Sequence, residues 1–293
     1  MGRFALLFDI KDKICLPENE AEPCEDTIGK GDTYCFVIDG ASGLSGMNIV
    51  DEQSDSAWFA RRIRDHLCHR LEESPATPTE TILTEIIEES HREYCQAAIE
   101  KRVEPPSDSP SAGIALFRQM GDQIIFWGLG DCMGAVQLHD DTFLMFKDSR
   151  LCALDGSVLK KMTELHETTG ISVIEAKELC NDMLIANRNK RNKEDGYWIL
   201  DLSGVGIEHA VKACWPVESV KTIFACSDGF AQLADTFGIY EDYEVLFEAI
   251  QHASLLDLCE KLFAIQNQDP LANQFPRFKV HDDTSCLWGN VKV

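Results

Sequence analysis

The 293-residue chain lacks a run of apolar residues long enough to span a bilayer, and so excludes a membrane-spanning helix as its organising element. No basic segment followed by an apolar stretch and a cleavage site opens it, so no secretion signal is expected. Gly2 is followed by Leu6 where a myristoylation signal wants Ser or Thr. Positive charge is scarce: 27 Lys and Arg stand against 50 Asp and Glu, a formal charge of −23. So acidic a chain repels nucleic acid and anionic membrane surfaces, and neither is an expected partner. Cysteine is plentiful, twelve in all, but no CxxC occurs and no paired cluster. Cys35, Cys226 and Cys286 lie inside apolar runs, where a free thiol behaves as a small hydrophobe. A reducing, cytoplasmic setting is expected. No repeat of fixed period and no linker-like stretch interrupts the chain, which reads as one domain over 1–293.

What is present is a recurring local pattern. In TYCFVIDGASG the apolar run Tyr34–Ile38 ends in Asp39, Gly40 and small residues. TIFACSDGF repeats it, with Thr222–Cys226 leading into Asp228 and Gly229. QIIFWGLGD closes on Gly130 and Asp131, Glu25 and Asp26 precede the first of these runs, and Asp282 and Asp283 precede the last apolar strand. A buried strand that delivers a carboxylate at its end, followed by a tight turn, is a common frame for a metal or phosphate site. One Asp-Gly pair alone is usually only a turn. Five acid-bearing element ends with no His or Cys companion suit a hard cation such as Mg²⁺ or Mn²⁺.

The periodicity sets the frame around these acids. A strand is expected over 3–9, irregular chain over 11–32, and a flexible Gly-rich passage over 42–47. Amphipathic helices are expected over 51–73 (Trp58, Phe59, Ile63, Leu67, Leu71) and 80–102, then a meander of strands over 112–118, 123–130, 133–139 and 142–147. Helices follow at 158–168 and 173–189, strands at 197–202, 206–213 and 220–226, a helical turn at 230–236, helices at 243–252 and 254–266, and a strand at 284–291. Hairpins with grouped helices indicate an α+β fold of stacked, mainly antiparallel sheets covered by helices. The one basic concentration, Arg188, Lys190, Arg191 and Lys193, closes the helix over 173–189. It reads first as a solvated helix end complementing the macrodipole, and second as a lure for an anionic substrate. His281, beside Asp282, is a further candidate for contact with substrate.

The order ED, VIDGxSG, PSAGIALF, GLGDC, FACSDGF, HDDTS resembles the metal-dependent, type 2C serine/threonine protein phosphatases over nearly the whole chain. The resemblance implies a four-layer α-β-β-α sandwich with the metal site at one end, between the sheets. It implies hydrolysis of phosphoserine or phosphothreonine on phosphorylated proteins by in-line attack of a water bridging two Mn²⁺ or Mg²⁺ ions. Carried over by motif, Asp39 bridges both metals, the Gly40 carbonyl binds one, and Asp228 and Asp282 complete the other. Glu25 and Asp26 match an early acidic pair acting through metal-bound waters, which makes Asp26 and Asp39 the catalytic pair. Asp131, with Asp228, matches the site of a third, weaker metal in bacterial-type members.

The chain departs from the pattern in places. Ala41 stands where some members carry a candidate general-acid His, and Ala21 where eukaryotic members place a phosphate-gripping Arg. Gln232 replaces a second acid often found after SDG. A phosphatase-like binding domain without turnover and a phosphatase of small metabolites remain as alternatives. Three clustered carboxylates argue against the first.

Overall fold

The computed structural model describes residues 7–19, 21–43, 46–106 and 109–292. Strand β3 (Tyr34–Ala41) shows how the layers arise. Its side chains alternate: Cys35 and Val37 face one hydrophobic cluster, while Tyr34, Phe36 and Ile38 face another. β4 (Ser111–Met120) alternates likewise, with Ala115 and Phe117 on the first side and Ile114 and Leu116 on the second. In β10 (Val220–Cys226), Ile223 and Ala225 enter the cluster shared with β3 and β4, while Phe224 and Cys226 face a third. Strands apolar on both faces must be covered on both, so two sheets pack face to face and each carries helices outside.

One sheet has the order β1-β11-β10-β6-β7, adding β1 (Phe8–Leu16), β6 (Met133–Leu138), β7 (Phe143–Phe146) and β11 (Thr284–Val291). The other runs β2-β3-β4-β5-β9, with β2 (Thr27–Lys30), β5 (Gln123–Leu129) and β9 (Val211–Pro216), while the short β8 (Leu200–Asp201) pairs with β4. Every pairing within the sheets is antiparallel. Outside the second sheet lie α1 (Asp55–Glu73) and α2 (Thr79–Lys101). Phe59, Ile63, Leu67 and Leu71 of α1 recur every fourth residue and are buried against β3 and β4. Burial of each such side chain stabilises by about 1.5–3 kcal/mol. Outside the first sheet lie α6 (Asp228–Asp235), α7 (Tyr243–Ile250) and α8 (Leu255–Gln268). The expected α+β sandwich of four layers is the fold observed.

Beyond these layers, α3 (Ser149–Thr169), α4 (Val173–Leu179) and α5 (Asn181–Arg188) share a small apolar cluster with Ala272 of the loop before β11. Among the described residues no helix is long and apolar enough to cross a membrane.

Several boundaries differ from expectation. β1 extends to Leu16, through chain expected to be irregular, because it is an edge strand whose outer positions Lys11, Lys13 and Cys15 are exposed. Residues 3–6 of the expected first strand, and 44–45 of the Gly-rich passage, lie outside the described residues. α3 starts at Ser149, capped by the Asp148 side chain on Arg150 N, and runs through Gly156. The helix expected over 173–189 breaks at Cys180, whose ψ of 8° leaves the helical range. Residues 205–209 form a 3₁₀ turn, so the strand expected over 206–213 begins only at Val211.

Candidate active site

The strand ends expected to carry acids meet in one cleft. A cavity of about 370 Å³ is lined by Glu25, Asp39, Gly40, Asp131, Asp228 and Asp282, with Asp155, Lys177, Arg188 and Lys279 around its mouth. Asp39 stands at the end of β3, in register with Gly113 of β4. A Cβ at Gly113 would come within 3.0 Å of the Asp131 carboxylate, so the glycine in PSAGIALF makes room for that acid. Gly40 is required for a similar reason: a Cβ there would stand 2.7 Å from the Glu25 carbonyl oxygen, to which Gly40 N–H donates at 3.1 Å. Asp228 opens α6 directly after β10, and Asp282 precedes β11.

The acidic pairs divide their work. Asp282 lines the cavity, whereas Asp283 is buried and holds the N-terminal loop, accepting from Glu18 N–H and Glu25 N–H at 2.6 Å each. Glu25 reaches the cleft, its Oε1 accepting from Ser42 and Ser54 hydroxyls at 2.5 Å. Asp26 turns away from the cavity into the core. Its Oδ2 accepts from Ser285 Oγ at 2.6 Å, and its buried Oδ1 has no hydrogen-bond partner.

The carboxylates strain one another. Burial, then the charges of Asp26, Asp228, Asp131 and Asp282, push Asp39 well above the ordinary carboxylate range. Burial and Asp131 raise Asp228 to about 6, and burial and Asp228 raise Asp282 to about 7. Burial raises Asp131 against the pull of Lys147, and raises Asp155 to about 6 with help from Asp228. Burial also raises Glu25, against its two serine hydrogen bonds. These acids crowd together with too little positive charge between them.

A stability profile follows from these shifts. Between the ordinary value near 3.8 and the raised values of about 6 to 7, the folded chain holds protons that the unfolded chain has released. Folding stability of the metal-free protein therefore rises as pH falls through that window. Urea unfolding in chelator should give a stability at pH 5 above that at pH 7.5, by on the order of 3 kcal/mol across the coupled cluster. A flat or opposite profile would show that the acids are solvated.

An all-oxygen donor set with surplus negative charge suits hard divalent cations. Among the described residues no three His, Cys, Asp or Glu side chains are gathered as a ready-made ligand set for one ion. Mutual repulsion spreads uncompensated carboxylates, and Mg²⁺-type sites commonly use one or two carboxylates with waters. The orphaned Asp26 Oδ1 behind the cleft is a further acceptor lacking a donor, as a hydrated cation site would supply.

Of the basic segment, Arg188 at the end of α5 lines the cavity, while Lys190 does not. Arg191, the other arginine of the segment, is placed away from the cleft. The chain turns after α5, and its guanidinium pairs with Asp201 at 3.2 Å and donates to Ser109 O at 2.7 Å, both away from the cleft. His281 is also held elsewhere, Nδ1 to Gln266 Oε1 at 2.8 Å and Nε2 to Asn267 Oδ1 at 3.1 Å. Sequence reasoning missed Asp155, Lys177 and Lys279. Asp155 had a visible signal, the Asp155-Gly156 pair, in the same form as the other acids. Lys279 had none: it donates to Asp282 Oδ1 at 2.8 Å and Glu18 Oε2 at 2.7 Å from a loop. Burial pulls its ammonium down, but Asp282 and Glu18 more than reverse this and keep it protonated.

Residues 18–264 match the family model described as protein phosphatase 2C, and the chain belongs to that family. A search of curated proteins found no match. Among solved structures, the fold is similar to the serine/threonine phosphatase PstP/Ppp of Mycobacterium tuberculosis (12% identity, 98% of this chain and 100% of that one, TM-score 0.53). It is also similar to the serine/threonine phosphatase Stp1 of Staphylococcus aureus (10%, 100% of each chain, 0.52). A third likeness is to the serine-threonine phosphatase 2C of Toxoplasma gondii (12%, 99% and 96%, 0.52).

Proposed function

We propose that this protein is a phosphoprotein phosphatase that hydrolyses phosphoserine and phosphothreonine with two Mn²⁺ or Mg²⁺ ions, acting as one catalytic domain in the cytoplasm. The observation that carries this reading is the convergence of Asp39, Asp131, Asp228 and Asp282, from four separate strand ends, on one cavity. Family membership gives the reaction class, and the catalytic domain of PstP has been solved in complex with two manganese ions. Twelve cysteines free of disulfides suit a reducing compartment.

In this reading Asp39 and the Gly40 carbonyl, with Asp228 and Asp282, would hold the two ions, and Asp131 with Asp228 would offer a place for a third. Bound there, two such cations would supply the charge that activates water and neutralises the phosphoryl oxygens. Glu25, fixed by Ser42 and Ser54, orients water at the edge of the cleft. Asp26, behind it, keeps an unpartnered acceptor oxygen and positions rather than touches. With Ala41 after Gly40, no side chain at that place protonates the leaving alkoxide, and the proton comes from solvent held in the cleft.

Phosphate binding falls to Lys279, with Arg188 and Lys177 facing it. Ala21 opens a second hollow of about 550 Å³, lined also by Lys279 and Glu25. Lys279 thus stands at the boundary of both spaces, where an Arg from position 21 would otherwise reach. Lys279→Met should raise KM for a phosphopeptide by about tenfold and lower kcat less, while Lys279→Arg keeps most of the binding. An unchanged KM in the Met variant would remove Lys279 from this role.

The function itself is tested by phosphate release from an aryl phosphate and from phosphoserine and phosphothreonine peptides, with and without Mn²⁺. Metal-dependent turnover of the peptides is expected. Absence of any metal-dependent rate would sink the reading, and strong preference for small phosphorylated metabolites would redirect it.

A further inference from the structure

Outside the cleft, one contact between reactive groups is unexplained by the fold. Cys15 Sγ on β1 and Cys24 Sγ in the loop before β2 lie 3.7 Å apart, and both are free thiols. Cys15 is exposed and Cys24 half-buried, in an open surface pocket they share with Lys13, Arg61 and Arg64. A disulfide requires about 2.05 Å, so less than about 2 Å of closure separates the pair from a bond. The two sides of the contact are not equally free. Cys15 is set in the β1–β11 ladder opposite Ser285, while Cys24 belongs to a loop and is followed directly by Glu25 and Asp26. Cys15 Sγ also donates to the Asp26 carbonyl at 3.4 Å. Closure must therefore be met by movement on the Cys24 side.

We propose that Cys15 and Cys24 are a modification site, a dithiol that closes reversibly to a disulfide and draws Glu25 out of its place at the cleft and Asp26 from its place behind it. The oxidant is hydrogen peroxide. The exposed Cys15 sulfur attacks one peroxide oxygen; the S–O bond forms, the O–O bond breaks, and water leaves, giving a sulfenic acid. The Cys24 sulfur then attacks the Cys15 sulfur; the S–S bond forms, the S–O bond breaks, and the oxygen departs as a second water with the thiol proton. Two thiols lose two electrons and hydrogen peroxide is reduced to two waters. A small-molecule thiol reverses the reaction by exchange. Cytosolic disulfides of this kind are usually transient and redox-sensing.

The bond itself stands apart from the phosphatase reading; its consequence for turnover rests on that reading. Two hydrogen bonds report the coupling directly: Glu25 N–H to Asp283 Oδ2 at 2.6 Å and Gly40 N–H to Glu25 O at 3.1 Å. Both are strained when Cys24 moves toward β1.

The experiment treats the full chain with hydrogen peroxide, alkylates the remaining thiols and digests with trypsin. Lys13 and Lys30 bracket a peptide that contains Cys15 and Cys24 and no other cysteine. The expected peptide is two hydrogens lighter than the dithiol, carries no alkyl group, and returns to doubly alkylated after dithiothreitol. Hydrogen exchange on the same samples should show the Glu25 and Gly40 amides exchanging about tenfold faster in the oxidised protein. Peroxide-treated Cys15→Ser should show no such change. A peptide that remains doubly alkylated, or is oxidised only to sulfinic acid, overturns the disulfide. A disulfide with unchanged protection at Glu25 and Gly40 overturns the coupling to the cleft. Absence of turnover in the reduced protein would instead count against the phosphatase reading, and leaves both of these measurements decisive.

Discussion

Asp39→Asn is expected to lower Mn²⁺-dependent hydrolysis of an aryl phosphate by at least about 10³-fold, since in the reading proposed above it removes a carboxylate charge that would hold the ions. The same substitution should not weaken the metal-free fold. Asp39 is held protonated, or ionised at a cost, by burial and by four neighbouring acids. An amide of the same shape removes that repulsion, so unfolding in chelator at pH 7.5 should show stability equal to or above that of the parent. Adding Mn²⁺ separates the two proteins. An ion at a hundredfold excess over its dissociation constant stabilises the parent by about 2.7 kcal/mol, and the variant by much less. Lost activity together with a destabilised apo fold would mean that Asp39 holds the structure rather than the ions. Retained activity would remove Asp39 from the centre of the site.

The second large effect concerns the loop that carries Lys279 and Asp282. Arg277 is almost fully buried and pairs with Asp269 at 2.9 Å. It also donates to the carbonyls of Phe275, Gln266, Asp269 and Val280. Asp269 in turn accepts from the amides of Asn273, Gln274 and Phe275. Removing one partner of a buried pair leaves the other charge without compensation, at a cost of about 3–5 kcal/mol. Arg277→Met should therefore lower the thermal midpoint strongly and raise KM, because the loop no longer presents Lys279. Asp269 adds a pH signature. Burial opposes its ionisation, but the bonds from Phe275 and Arg277 outweigh this and hold its pKa below 3.8. The pair's stability is present above that value and is lost as pH falls below it, and the Arg277→Met profile should be flatter there. A variant within about 0.5 kcal/mol of the parent would show that water replaces the guanidinium.

The part of this architecture visible in the sequence was the part with strict local rules. The runs Tyr34–Ile38 of β3 and Ile223–Cys226 of β10 are apolar at every position, as a strand covered on both faces allows, and they are followed by Asp-Gly and Ser-Asp-Gly. Those rules place Asp39, Asp131, Asp228 and Asp282 at element ends, and the motif order brings them to one site. What escaped depends on packing between distant segments. Arg188 and Arg191 are three residues apart and look equivalent as a charge run, yet the end of α5 sends one into the cleft and the other onto Asp201. Asp282 and Asp283 look like one acidic pair, yet one faces solvent in the cleft and the other holds backbone amides some 258 residues away in sequence. β1 was obscured because an edge strand shows charge on its outer face and so resembles a loop.

That clamp from Asp283 to Glu18 and Glu25, together with the pairing of Phe8 with Val291, bears on biosynthesis. Both join segments separated by some 258 residues or more, so neither can form until residues 282–291 have emerged from the ribosome. The cleft is thus completed only once those residues have emerged, and in the reading proposed above Mn²⁺ would have no complete site on a nascent chain. Refolding should accordingly proceed at the same rate with or without Mn²⁺, with the ion slowing only unfolding. A Mn²⁺-accelerated refolding phase in stopped-flow fluorescence would contradict this order of events.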